Sequence, residues 1–157
     1  MSTPCSIIVP NDKPDGKKYK WIYVHWDGTP DWTGVILHKY YNTEEKIKEL
    51  ISLGALSSLG PEIGTQIDMD DPFAYREVMN KQCIAYHRDR NDDLEINETN
   101  SLKDAAHFGY AYLWQNNKWN YCYGGKTSDL FKNKDFTEGL KKFDENLKRF
   151  DNFLKGN

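Results

Sequence analysis

The sequence predicts a single α+β domain, in which an antiparallel sheet of four to six strands carries helices on one face and a C-terminal amphipathic helix is among them. Three observations predict it. Residues 19–26 alternate, with Ile22, Val24 and Trp26 on one side and Tyr23 and His25 on the other, which is the two-residue period of a strand. Asn116-Asn117 joins two strand-like runs, Tyr110–Gln115 and Lys118–Tyr123, as a two-residue hairpin signal. From Thr137 onward, Leu140, Phe143, Leu147, Phe150 and Leu154 recur at steps of three and four among Lys, Glu, Asp and Asn, giving a helix over 136–155.

The elements follow in chain order. Ser6–Val9 is a β-prone run stopped by Pro10, and Pro14-Asp15-Gly16 favours a reversal into the strand that follows. Residues 1–18 are thus an N-terminal strand and turn. Asp27-Gly28-Thr29-Pro30 breaks the second strand, and Asp31–Tyr41 reads as a helix of about three turns. Thr43 is placed to cap a second helix, with Glu44 and Glu45 at its positive end. Ile47, Leu50 and Ile51 give that helix one buried stripe, and Gly54 stops it. Ser57–Pro61 reads as a loop, and 62–81 is the least regular stretch. Cys83–Arg88 has strand composition, Leu94–Ile96 forms a further strand, and Ser101 caps a short helix towards Phe108. Gly124-Gly125 ends the last strand.

Composition bounds the function. The chain has 157 residues, enough for one core. Its net charge is −3, which argues against general DNA binding, because phosphate contacts need a basic surface. The tail is mildly basic, with eight Lys/Arg against six Asp/Glu over 126–157. Cys5, Cys83 and Cys122 have no metal-ligand spacing and read as reduced thiols of a cytoplasmic protein. No apolar run approaches the ~20 residues of a membrane helix, and the N-terminus carries no secretion signal.

Two clusters are candidates for chemistry. His-x-Asp occurs at His25/Asp27 and at His87/Asp89. On adjacent strands the four side chains would share a side, offering a metal site or a general acid and base. The competing reading has Asp27 heading the turn and Asp89 paired with an arginine. In the second cluster, alternation along a strand puts Tyr86, Arg88 and Arg90 on one face, where a ring beside two guanidinium groups suits a base and a phosphate. The competing reading is a solvated strand end with Arg–Asp pairing. Asp68-Met69-Asp70-Asp71 lacks the Gly and Glu of an EF-hand, and Gly125-Lys126-Thr127 lacks the upstream Gly of a P-loop.

The series Tyr23-x-His25-Trp26-Asp27-Gly28-x-Pro30, Leu50-Ile51-x-Leu53-Gly54, Ser57-Ser58-Leu59-Gly60 and Tyr86-x-Arg88-Asp89-Arg90 resembles a family of small bacteriophage and prophage proteins. The likeness runs over 19–123, continuing through Ala111–Trp114 and Lys118-Trp119. The resemblance implies a setting, an accessory phage product in the cytoplasm of a bacterial host, and no catalytic residues. The expected function is anti-defence by binding, either of a small nucleotide signal or of a host defence protein. Tyr86, Arg88 and Arg90 would grip the ligand, with His25, Trp26 and Asp27 forming a wall. No cofactor is expected, and a homodimer is compatible with the free sheet edge and amphipathic helix. The alternatives are a metal-dependent hydrolase or nuclease using His25, Asp27, His87 and Asp89, and a non-catalytic phage structural or assembly factor.

Overall fold

The computed structural model describes residues 2–155, and side chains up to residue 146. β1 (Cys5–Pro10) and β2 (Tyr19–Val24) pair as an antiparallel hairpin, Ser6 opposite Tyr23 and Ile8 opposite Trp21. A π-helical turn, Pro30–Gly34, leads directly into α1 (Val35–Tyr40), close to the helix expected over 31–41. α2 (Glu44–Ser52) is capped as expected, the Thr43 side chain accepting from the Lys46 N–H at 3.3 Å. Gly54 follows it at φ +72°, where a β-carbon would press on Leu94 and Glu95.

Beyond Gly54 the structure departs from the expectations. β3 (Leu56–Ser58) pairs parallel with β2 and takes in the first two residues of the loop expected over Ser57–Pro61. α3 (Pro72–Val78) buries none of its residues. β4 is only Ile84–Ala85, and the chain then turns into α4 (Tyr86–Arg90), not on along a strand. β5 (Asn97–Thr99) starts one residue after the strand expected at Leu94–Ile96. α5 (Leu102–Ala105) carries the expected Ser101 cap, bonded to the Asp104 N–H. β6 (Tyr110–Gln115) and β7 (Lys118–Tyr123) form the expected hairpin, with Asn116 and Asn117 both left-handed at φ 56° and 61°. Gly124-Gly125 closes a further tight turn into β8 (Lys126–Asp129), an edge strand that its polar composition conceals. α6 (Lys134–Lys155) begins after a 3-10 turn at Leu130–Lys132 and covers the expected 136–155. Leu147, Phe150 and Leu154 lie outside the described side chains.

The sheet order is β4-β3-β2-β1-β6-β7-β8, with β5 on the same edge of β2 as β3. Among the described residues it has eight strands, more than expected. It is mixed, because β1–β6 and β2–β3 are parallel. A parallel pair needs a crossover, and α1 with α2 supplies the one between β2 and β3. Cys5, Ile7, Ile22, Val24 and Tyr112 face the main core, where Ile36, Leu37, Leu50 and Phe136 cover them. The opposite face has its own smaller cluster, Ile8, Ala111, Leu113 and Cys122 under Ala105 and Ala106. Helices thus cover both faces. The long ones share one face, and the other is left largely to α5. The three cysteines are buried and unpaired, and burial pushes the Cys5 and Cys122 thiols up to about 12. Among the described residues, no helix is long and apolar enough to cross a membrane.

Candidate binding face

The turn after β2 is built from backbone hydrogen bonds. Asp27 is left-handed at φ 57°. Thr33 Oγ1 donates to the Asp27 carbonyl at 2.6 Å, and Tyr112 OH donates to the Gly28 carbonyl at 2.7 Å. The Gly28 N–H donates to Thr3 O at 2.7 Å, so closely that a β-carbon there would stand 2.7 Å from both that oxygen and Cys5 Cβ. Gly28 is required by this approach, and Pro30 starts the helical turn. Asp27 heads the turn, and the side chains of His25 and Trp26 are left at the edge of the sheet.

His25 belongs to a row of rings on the face away from the long helices. Its Nδ1 shares a 2.6 Å hydrogen bond with Tyr23 OH. Trp26, 38 % exposed, stands edge-on to His25 with centroids 4.7 Å apart. Phe108 packs against Tyr23 at 5.0 Å and Trp21 at 6.2 Å, and His107 stands edge-on to Phe108 at 5.1 Å. Burial raises the Tyr23 pKa first, and the Tyr86 phenol raises it further, followed by Cys5. Tyr86 adjoins the row through the backbone: its N–H donates to Ala55 O at 3.2 Å, and the His25 N–H donates to the next carbonyl, Leu56 O, at 3.0 Å.

The helical course of 86–90 divides the arginines. Residues four apart share a helix side, so Arg90 lies over the Tyr86 ring at 4.7 Å and pairs with Asp92 at 2.8 Å. Arg88, expected beside them, points inward. It bonds Asp89 at 3.0 and 3.1 Å, Cys83 O at 2.7 Å and Ile63 O at 2.9 Å. Its donors are committed to the fold, and Arg88 is removed from the ligand-gripping set. Asp89 is buried and also accepts from Ile67 N and Ala85 N. His87 is exposed, with Nδ1 at 2.7 Å from Asp92 O. His25, Asp27, His87 and Asp89 are not brought together, and among the described residues no group of three or more His, Cys, Asp or Glu could hold a metal ion.

The molecule carries surface hollows of about 550, 420, 250 and 140 Å³, and none is lined by His25, Trp26, Asp27, Tyr86, Arg88 or Arg90. None of these four hollows joins the imidazole turn to the arginine segment. The 420 Å³ hollow instead lies beside the aromatic row, sharing Phe108 and His107 with it. Lys103 and Asp104 of α5 supply charge there, and Tyr123, 73 % exposed, supplies a second ring. A β-carbon at Gly109 or Gly124 would meet nothing within 4 Å, which leaves the mouth open. The volume falls in the range of small-molecule sites. Sequence reasoning missed Lys103, His107, Phe108 and Tyr123. The signal available was the outward series Tyr19, Trp21, Tyr23, His25, rings where an open sheet face normally carries polar residues.

Comparisons of the chain with protein-family models, with curated proteins and with solved structures gave no match.

Proposed function

We propose that the protein is a phage accessory product that acts by binding, sequestering a small nucleotide-type signal on the aromatic face. The observation that carries the reading is the hollow between Phe108 and Tyr123, with Lys103 and His107 beside it and the row Tyr23, His25, Trp26 running from its edge. Rings offer stacking surfaces worth ~1–3 kcal/mol per base, and an ammonium offers a phosphate partner. The phage setting rests on the motif resemblance. A metal-dependent hydrolase has no such support, since its four candidate ligands are separated.

Titration calorimetry with a panel of linear and cyclic mono- and dinucleotides tests the reading. Saturable heat with at least one member is expected, weakened at least tenfold by Lys103→Ala and by Tyr123→Ala. Chromatography of the bound nucleotide after prolonged incubation should return it intact. Silence across the panel, or heat unchanged in both variants, overturns the proposal, and recovery of a cleaved nucleotide overturns the binder class in favour of an enzyme.

A further inference from the structure

The largest of these four hollows, of about 550 Å³, is on the opposite side of the sheet and independent of the site above. It opens between α2 and the turn end of the β1–β2 hairpin. Its floor is apolar: Val9, Ile47, Ile51, Ile96 and Trp114, contributed by four separate stretches of chain. An apolar floor under a polar rim, here Asn11, Asp12, Glu44, Lys48 and Ser52, is a make-up that small-molecule sites use.

One polar group in it breaks the pattern of the fold. Lys20 stands in register with Val9 on the β2 face that Ile22 and Val24 present to the main core. It is part-buried, and its ammonium makes no hydrogen bond or ion pair with any described residue. A strand position in that series ordinarily takes an apolar side chain, and a part-buried cation ordinarily takes a partner. Glu98 stands opposite Lys20 on β5, but its carboxylate accepts from Asn11 at 2.7 Å and pairs with Lys13 at 3.9 Å. The other charges at the rim leave one negative charge. Glu44 and Lys48 lie four apart on α2, a spacing that lets them offset one another, and Asp12 adds one negative charge. A polyanion would meet Asp12 and Glu44 with no matching surplus of cations. A single anionic head on an apolar body would meet Lys20 and the floor.

We infer that this cleft is a second binding site, for a monoanionic amphiphile of small-molecule size whose apolar body lies on Trp114, Ile47 and Ile51 and whose head pairs with Lys20. The probe is 8-anilinonaphthalene-1-sulfonate, an aromatic body with one negative charge. Its uncharged counterpart is N-phenyl-1-naphthylamine. Fluorescence titration of the native protein should show one sulfonate probe bound per chain, at least tenfold more tightly than the uncharged probe. Lys20→Gln should erase that preference while leaving the uncharged probe unaffected. Ser52→Trp, which fills the cleft from its exposed rim without touching the core, should abolish binding of both. Tyr123→Ala, in the other hollow, should leave both unchanged. Equal affinity for the two probes, indifference to Lys20→Gln and Ser52→Trp in variants whose circular dichroism is native, or loss of binding in Tyr123→Ala overturns the inference.

Discussion

Asp89 takes the Nε of its neighbour Arg88 at 3.0 Å and its Nη2 at 3.1 Å, a two-pronged ion pair between adjacent residues turned into the protein. The Asp89 side chain is fully buried and that of Arg88 is 17 % exposed. The same carboxylate ties Ile67 and Ala85 through their N–H groups, and the guanidinium ties the carbonyls of Ile63 and Cys83. Removing one partner of a buried pair leaves the other uncompensated, at a cost of about 3–5 kcal/mol. Asp89→Ala should therefore lower the urea midpoint steeply. Arg90→Ala removes an exposed pair with Asp92 and should leave the midpoint nearly unchanged. Equal midpoints for the two variants would show that the internal arginine is not a fastener.

The left-handed pair Asn116-Asn117 supports a second prediction. Both residues need positive φ, which asparagine tolerates and alanine does not. Asn117→Ala should cost about 1–2 kcal/mol. Asn117→Gly should be at least as stable as the native chain, because Asn-Gly is the preferred pair for this turn. Thermal unfolding of both variants checks the sign.

These two places also show what the sequence holds and what it hides. The 116–117 hairpin is legible because a local dipeptide specifies a local turn, and α2 and α6 are legible because their apolar stripes repeat. The segment after Ala85 is not legible as a helix. Its geometry is held by the Asp89 carboxylate reaching Ile67, twenty-two residues away, a contact that no short window contains. The error at Arg88 follows directly, since a strand reading puts it beside Tyr86 and a helix reading puts it on the far side. β8 hides for another reason: as an exposed edge strand it needs no apolar face. The aromatic row is half visible, in the alternation of β2. Phe108 and Tyr123 come together only through the fold, and nothing in their own surroundings marks them.

His38 gives the fold a pH dependence. Its ring stands edge-on to Phe131 and Phe136, 5.1 and 5.6 Å away. Burial lowers its pKa from the usual 6.5, and Lys39 lowers it further, while Asp144 opposes them. The unfolded chain therefore binds a proton more readily than the native one, so stability from this group is complete above pH 6.5 and is lost as pH falls through the lower native value. Unfolding midpoints measured downward from pH 7.5 should fall across that window, and His38→Gln should flatten the slope. A slope of the same size in the variant would assign it to other groups.

Gly139 sets two physical effects against each other. It lies in α6, where replacing glycine by alanine in a free helix gains about 1 kcal/mol. Here the helix crosses the turn that begins at Pro30, and a β-carbon at 139 would stand 2.6 Å from Asp31 Cα and 2.8 Å from Asp31 O. Those are backbone atoms, with no rotamer to yield, and overpacking of that kind costs about 1–3 kcal/mol. The close approach also seats Phe136, fully buried, against Gly34, whose own missing β-carbon would come within 3.3 Å of that ring. Contact should outweigh propensity, and Gly139→Ala should lower the melting temperature. Asn146→Ala, exposed one turn beyond the packed part, should raise it slightly. A Gly139→Ala protein more stable than the native one would mean that α6 does not rest on Asp31 in solution.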